Sequence, residues 1–371
     1  MALRATTPVM LVGVICTLLA PREQAHVIRE INTGGVVQPK ALEIGEWFAR
    51  LAVLLLGALL VGSGLSGDAS LLSRFVGGEA LATAWTAKPN GVWLQLAGVL
   101  SGLIVVVIAA WPIPRVPTKP GVYLSTALGA PLKEFMTRFA GVAGLILATI
   151  CVYRVSDFVL NIMNPFYRDM GFSLTEIAEI RKVFGIIASM IGVFLGGVVV
   201  ARFGLMRALV IGAFAQPISN LMFALLAMSG HNTGMLFASI CIDNLAGGVA
   251  GTALITYMSS LTTAGFTATQ YALFASLYSL PGKLIASQSG RIVEASAVAA
   301  ENGGPIGMLK GLFTRLPPES FTAAGAKLGV SAQAMAAGYT AFFFYTALIG
   351  VVAIVLSFLV AARQKPAETP A

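Results

Sequence analysis

The chain of 371 residues is 57% hydrophobic and only 11% charged, with a mean hydropathy of +0.85. These values exclude a soluble globular protein, whose surface would need a larger polar fraction, and they indicate a membrane protein. The formal charge of +8 does not indicate a nucleic-acid partner, because the basic residues are scattered over short connections and do not form a cluster.

Long apolar stretches of the length that crosses a bilayer, ~18 residues or more, recur along the chain. They predict an all-α polytopic membrane protein. The confidently predicted spans are 47–67, 92–110, 140–163, 183–200, 208–228, 235–261, 270–290 and 339–362. A shorter apolar run over 8–20 is typical either of a signal peptide or of the end of a spanning helix whose beginning is missing.

The connections between these runs predict how the chain is organised and oriented. Lysine and arginine are concentrated in the short connections on one side, which the positive-inside rule assigns to the cytoplasm together with the C-terminus. The predicted segments are 1–20, a partial transmembrane helix; 21–46, a cytoplasmic linker; 47–112, a two-helix insertion; 113–138, a second cytoplasmic linker; 139–363, a six-helix unit; and 364–371, a cytoplasmic tail.

Charged residues inside the apolar run 140–163 are the first functional signal. Arg154, Asp157, Asn161 and Asn164 have the spacing of one helix face. A charge near the bilayer centre costs ~3 kcal/mol, so such side chains normally face a partner or a water-filled cavity. The stripe therefore predicts a transport pathway, although a local Arg154–Asp157 pair that only fixes helix packing would explain the two charges as well.

Basic residues in two other spans add to this pattern. Lys182 begins a span directly after Arg181, and Arg181 is more typical of a cation that extends to the membrane interface. Lys283 follows Pro281 and Gly282, and a kink at this pair would turn the lysine toward the bundle interior. Lys182 and Lys283 are therefore candidates for the pathway.

An acidic residue and its amide neighbour interrupt the span 235–261. Asp243 and Asn244 need polar surroundings, either a hydrogen bond to a facing helix or a transport cavity. Glycines four residues apart, as in Gly247 with Gly251 and in Gly192 with Gly196, predict close approach of neighbouring helices.

The stretch "GGVVVARFGLMRAL" joins two predicted spans and contains a further motif. Gly197, Arg202, Gly204 and Arg207 have the spacing of the cytoplasmic loop motif of the major facilitator superfamily, with Ala201 where an acid is usual. The same residues would also suit an ordinary positive-inside loop with a glycine turn.

Motifs for covalent or cofactor chemistry are missing from the sequence. It has no Walker loop, zinc motif or nucleophile motif, and its three cysteines lie in apolar runs without metal-ligand spacing. We therefore expect no enzyme activity, no cofactor and no metal site, and an ion gradient as the source of energy.

Several segments, in this order, together resemble one transporter family. They are "YRVSDF", "EIRKVFGIIASMIGVFLGGVVVARFGLMRAL", "DNLAGGVAGTALITYMSSL" and "TATQYAL". They are similar to the C-terminal half of AmpG-type muropeptide permeases of the major facilitator superfamily, over about 140–362. The resemblance implies a six-helix C-terminal half preceded by a two-helix insertion and by the end of the N-terminal half. It places Arg154, Asp157, Lys182, Asp243, Asn244 and Lys283 on the substrate or proton pathway.

The function implied by the resemblance is proton-coupled import of anhydromuropeptides across the bacterial inner membrane for peptidoglycan recycling. The expected partners are membrane lipid, an anionic sugar-peptide substrate, the proton and a separately encoded N-terminal half. Asp157 and Asp243 are the candidate proton carriers, and the basic residues would attract substrate carboxylates. A carrier for another anionic conjugate such as acetyl-CoA, or a truncated fragment that does not transport, would also suit the sequence.

Overall fold

The computed structural model describes residues 39–87, 91–111, 118–286 and 288–364, which form helices and connections without a strand. The partial helix predicted over 1–20, most of the linker 21–46 and the end of the tail lie outside these residues. The main helices are α1 (Lys40–Ser66), α2 (Gly91–Ala110), α3 (Ala143–Asp169), α4 (Leu174–Phe203), α5 (Leu205–Ser229), α6 (Thr233–Ser260), α7 (Thr267–Ala286) and α8 (Ala332–Arg363).

Seven of these helices in the described ranges are long and apolar enough to cross a membrane. The prediction of an all-α polytopic membrane protein is therefore confirmed. The exception is α7, the predicted span 270–290, because its threonine, glutamine and serine residues and Lys283 reduce its hydropathy. Short helices Ser289–Glu301, Pro305–Phe313 and Thr322–Leu328 lie between α7 and α8.

Helices α1 and α2 pack against each other along their lengths. They lie in the segment 47–112, for which the two-helix insertion stays a prediction. Arg50 of α1 donates hydrogen bonds to the carbonyl oxygens of Ala109 (2.9 Å) and Trp111 (2.8 Å). The last carbonyls of a helix have no partner within it, so this guanidinium satisfies the end of α2. At the other end, the Trp85 indole donates to the Ser63 carbonyl oxygen over 3.1 Å.

Residues 119–138, most of the predicted second linker, are helical. Phe135 is buried against Phe274 of α7, with ring centroids 5.1 Å apart. The Gln270 amide of α7 donates to the Glu134 carboxylate over 2.7 Å and to the Pro131 carbonyl over 3.0 Å. The segment is thus attached to the six-helix unit α3–α8.

Two apolar clusters form the core of this unit and of the segment attached to it. One contains Phe166 and Phe343, and the other contains Phe135 and Tyr257. Helix α3 runs through both, with Tyr153 in the second cluster and Val155, two residues later, in the first. Arg154 therefore lies where the apolar core is interrupted.

Glycines bring α4 and α6 into direct contact. A Cβ atom on Gly248 would lie 2.7 Å from the Gly192 carbonyl carbon, and one on Gly196 would lie 2.8 Å from Thr252 Cβ. The predicted close approach at Gly192 and Gly196 is thereby confirmed.

Gly248→Ala is expected to destabilise the protein by about 1–3 kcal/mol, because the added methyl group would separate α4 from α6. Thermal unfolding in detergent, followed by size-exclusion chromatography, measures the change. Gly144→Ala on α3 is the control, since its methyl group would meet no atom within 4 Å. Equal stability of the two variants would contradict the role assigned to Gly248.

Candidate functional site

Helix α3 is irregular where it carries its charges. Regular helix ends at Val152, a single turn covers Val155–Phe158, a tighter turn covers Val159–Ile162, and α-helix resumes at Met163. Irregular backbone within a membrane span is tolerated where it is buried in protein or lines a cavity. In this stretch the Arg154 guanidinium contacts the Asp157 carboxylate as an ion pair.

Helix α5 supplies two polar side chains to the same region. Gln216, which is 1% exposed, donates its amide to Asp157 Oδ1 over 3.3 Å. One turn later, the Ser219 hydroxyl lies 3.2 Å from Asp243 Oδ1 and 2.8 Å from the Gln216 carbonyl oxygen. The two aspartates thus contact successive turns of one helix.

Glycines of α6 form a recess for the Arg154 side chain. A Cβ atom on Gly251 would lie 3.2 Å from Arg154 Nη1, and one on Gly247 would lie 3.6 Å from Nη2. The prediction that Gly247 and Gly251 serve helix–helix approach is therefore wrong. Their missing side chains leave space for a guanidinium, and it is Gly248 that contacts α4.

Arg181 occupies a widened helical turn, Ile180–Gly185, near the start of α4. Its guanidinium donates a hydrogen bond to the Asn164 carboxamide oxygen of α3. This contact brings a second cation to the polar stripe of α3. Widened turns inside helices often occur at functional sites.

Two adjoining cavities lie between α3, α4 and α6. The larger has a volume of about 350 Å³ and the smaller about 280 Å³, and both are lined by Met163, Arg181 and Asp243. Asp157 and Asn161 line the smaller one, and Asn244 lines the larger one. The arrangement therefore places both carboxylates and Arg181 around one polar space.

The candidate residues do not all reach this space. Asp157, Asn161, Asp243 and Asn244 line the two cavities. Arg154 lines neither cavity and is linked to them through its ion pair with Asp157. Lys182 and Lys283 are exposed and line neither cavity, so their place on the pathway stays a prediction.

Three side chains were missed or undervalued by sequence reasoning. The sequence favours Arg181 as an interfacial cation, and the patterns considered above do not single out Gln216 or Ser219. The signal for the last two was available, because the polar run "QPISN" interrupts the apolar span of α5 beside a proline. Pro217 lies inside α5 without ending it.

The loop motif lies at the turn between α4 and α5. Gly197 and Arg202 are in α4, Arg207 is in the first turn of α5, and Gly204 connects the helices with a φ of 83°. This left-handed backbone favours glycine. The functional role of the motif stays a prediction.

No protein-family model matches the chain. The anhydromuropeptide permease of Escherichia coli (strain K12) is 30% identical over 217 residues, which are 58% of this chain and 43% of the permease. A Rickettsia conorii protein named transporter AmpG 4 is 33% identical over 172 residues, 46% of this chain and 41% of that protein. A Rickettsia prowazekii protein named transporter AmpG 3 is 36% identical over 147 residues, 39% of this chain and 35% of that protein.

The chain spans less than half the length of these curated relatives. With its membrane-spanning helices, the similarity indicates a multi-pass protein of the bacterial inner membrane. The chain is therefore related to the AmpG-type permeases over the aligned part of its length.

Proposed function

We propose that the chain contributes its six-helix unit α3–α8 to a proton-coupled importer of anhydromuropeptides, which serves peptidoglycan recycling. The observation that carries this proposal is the polar space within the membrane spans, where Asp157, Asp243 and Arg181 meet. An ion pair that only fixes helix packing would not require a polar cavity beside it. Membrane-embedded charges that line a cavity are typical of substrate and ion pathways.

The chemistry of the cavity suits both the substrate and the driving ion. An anhydromuropeptide carries peptide carboxylates, which a guanidinium such as that of Arg181 binds through charge-assisted hydrogen bonds. A carboxylate within the membrane can take up and release a proton, and both Asp157 and Asp243 line the space. Transport of this kind requires neither covalent catalysis nor a cofactor.

The polar space also suggests a protein partner. Asn161, Asn164 and Arg181 are exposed on their membrane spans, and polar groups facing lipid are costly. We therefore expect a further helix bundle to cover this face, for which a separately encoded N-terminal half is our candidate. Lipid would contact the apolar exposed side chains of other faces, such as Phe194 of α4 and Leu348 of α8.

Disruption of the gene in the bacterium that encodes this chain tests the proposal. Anhydromuropeptides should then be lost to the medium, where mass spectrometry detects them, and a plasmid copy of the gene should restore their uptake. Unchanged uptake in the disrupted strain would contradict the proposal. It would favour a carrier for a different conjugate, such as acetyl-CoA, or a fragment that does not transport.

The orientation gives a separate prediction. Short connections rich in lysine and arginine predict that the C-terminus is cytoplasmic. A reporter that is active only in the cytoplasm is therefore expected to be on when fused after Arg363 and off when fused after Asn302. The reverse pattern would contradict the predicted orientation and, with it, the import direction.

A further inference from the structure

The two aspartates of the cavity have different partners. Asp157 pairs with the Arg154 guanidinium and accepts a hydrogen bond from the Gln216 amide. The Asp157 carboxylate is thus in contact with one opposite charge and one hydrogen-bond donor. Asp243 contacts the Ser219 hydroxyl over 3.2 Å and has no ion pair among the described side chains. Asp243 is therefore the carboxyl group of this space that can most easily take up a proton.

The two arginines differ in the same way. Arg154 is held by Asp157 and lies in the recess formed by Gly247 and Gly251. Among the described residues, the Arg181 guanidinium donates its hydrogen bond to a neutral oxygen, that of Asn164, and Arg181 lines both cavities. Arg181 forms no ion pair within the described part of the chain, so its positive charge is available to a ligand in the cavity.

We propose that Asp243 binds the coupling proton and that Arg181 binds a substrate carboxylate, with one proton for each carboxylate. This inference rests on the proposed function. With both aspartates ionised, the charges of Arg154, Arg181, Asp157 and Asp243 cancel. A proton on Asp243 leaves one net positive charge, and a bound carboxylate then restores neutrality. A carboxylate without the proton would leave one net negative charge.

A net charge inside the membrane is costly, so each ligand should raise the affinity for the other. The elements around the cavity contribute few further titratable groups. Helix α3 adds the Tyr167 phenol, and an ordinary phenol titrates near ~10. Helix α7 adds Lys283, which is exposed and lines neither cavity, and neither α7 nor α8 contains an acidic residue.

Ser219 is a positioning residue, because it acts on proton binding through its contact with the Asp243 carboxyl group. Its single hydroxyl proton has two acceptors within reach, Asp243 Oδ1 and the Gln216 carbonyl oxygen. Donation to Asp243 stabilises the ionised carboxylate. When Asp243 is protonated, the hydroxyl can donate to the carbonyl and accept from the acid, so both protonation states remain satisfied.

Binding of an anhydromuropeptide to the tagged chain tests the proposal. The protein is purified from its own bacterium with any partner that accompanies it. Calorimetry is carried out from about pH 6 to about pH 8, where the peptide carboxylates stay ionised. Affinity is expected to weaken by up to about tenfold per pH unit as Asp243 loses its proton. Repeating the titration in buffers of different ionisation enthalpy measures how many protons the protein takes up on binding. At a pH at which Asp243 is ionised before binding, uptake of up to one proton per ligand is expected.

Variants and ligands distinguish this coupling from a general pH effect. Asp243→Asn should bind the anhydromuropeptide with an affinity that does not depend on pH. Ser219→Ala should move the fall in affinity to higher pH without changing the maximal affinity. The exposed acid Glu319 provides the control, since Glu319→Gln should behave as wild type. An anhydromuropeptide with amidated carboxylates should lose the pH dependence.

Each contrary outcome has a distinct meaning. Tight binding of anhydromuropeptide by the wild type without pH dependence or proton uptake would overturn the coupling and leave the proposed function intact. This test needs only the wild type, so it holds even if Asp243→Asn fails to fold. Unchanged pH dependence with the amidated ligand would overturn the role of the carboxylate. Absence of anhydromuropeptide binding would overturn both the coupling and the proposed function.

Discussion

Asp157→Asn is expected to lower the yield of folded protein sharply. The variant keeps a hydrogen-bond acceptor for Gln216 but removes the negative charge that faces the Arg154 guanidinium in its recess. Among the described residues, no other acid forms an ion pair with Arg154. Breaking a buried ion pair costs ~3 kcal/mol or more, and the lower figure applies because the two side chains keep 20% and 25% exposure. Folded yield and thermal unfolding in detergent measure the loss.

The double variant Arg154→Gln with Asp157→Asn should recover most of this folded yield, because removing both charges leaves none uncompensated. Transport then separates the two roles of the pair. If the pair also shapes the pathway, the recovered protein should import anhydromuropeptide poorly in the complemented strain. Full transport by the double variant would show that the pair is only structural.

Arg181→Gln is expected to raise the substrate concentration for half-maximal uptake by roughly tenfold. Hydrogen bonds to charged groups contribute ~1.5–3 kcal/mol, and the lower value applies because Arg181 is exposed. The hydrogen bond to Asn164 can be kept by the glutamine amide, so folding should be affected little. Uptake of labelled anhydromuropeptide at graded concentrations measures the change.

Lys182→Gln is the matched control for this experiment. It removes a positive charge from the neighbouring position, but Lys182 lines neither cavity, so uptake should remain within about twofold of wild type. A large loss in Lys182→Gln with normal uptake in Arg181→Gln would contradict the geometry and support the prediction from the sequence.

The helical architecture was accessible from the sequence because membrane burial acts on every residue of a span. A long run of apolar side chains predicts a spanning helix, because lipid offers no hydrogen-bond partner and the backbone groups must therefore bond to one another. Among the described helices α1–α8, the weakest span in this respect is α7, for which the apolar run 270–290 predicts a membrane span. One of its polar residues, Gln270, makes a contact outside the helix, with Glu134.

Positions inside the site were harder to predict. Arg181 and Lys182 are neighbours of the same charge within the widened turn Ile180–Gly185, and it is Arg181 that contacts Asn164 of α3. A regular helical spacing does not anticipate such a turn. Gly247 and Gly251 show the same limit, since equal spacing cannot distinguish a helix contact from a recess for Arg154.

The sequence by itself determined that this is a polytopic helical membrane protein with charges in α3 and α6, because apolar length and the cost of a buried charge depend only on residue type and order. Only the tertiary structure decided the partners of those charges. It paired Asp157 with Arg154 and Gln216, placed Asp243 beside Ser219, and brought Arg181 to the cavity. The physical reason is that these contacts join different helices, and their geometry depends on how the helices pack and where their turns widen.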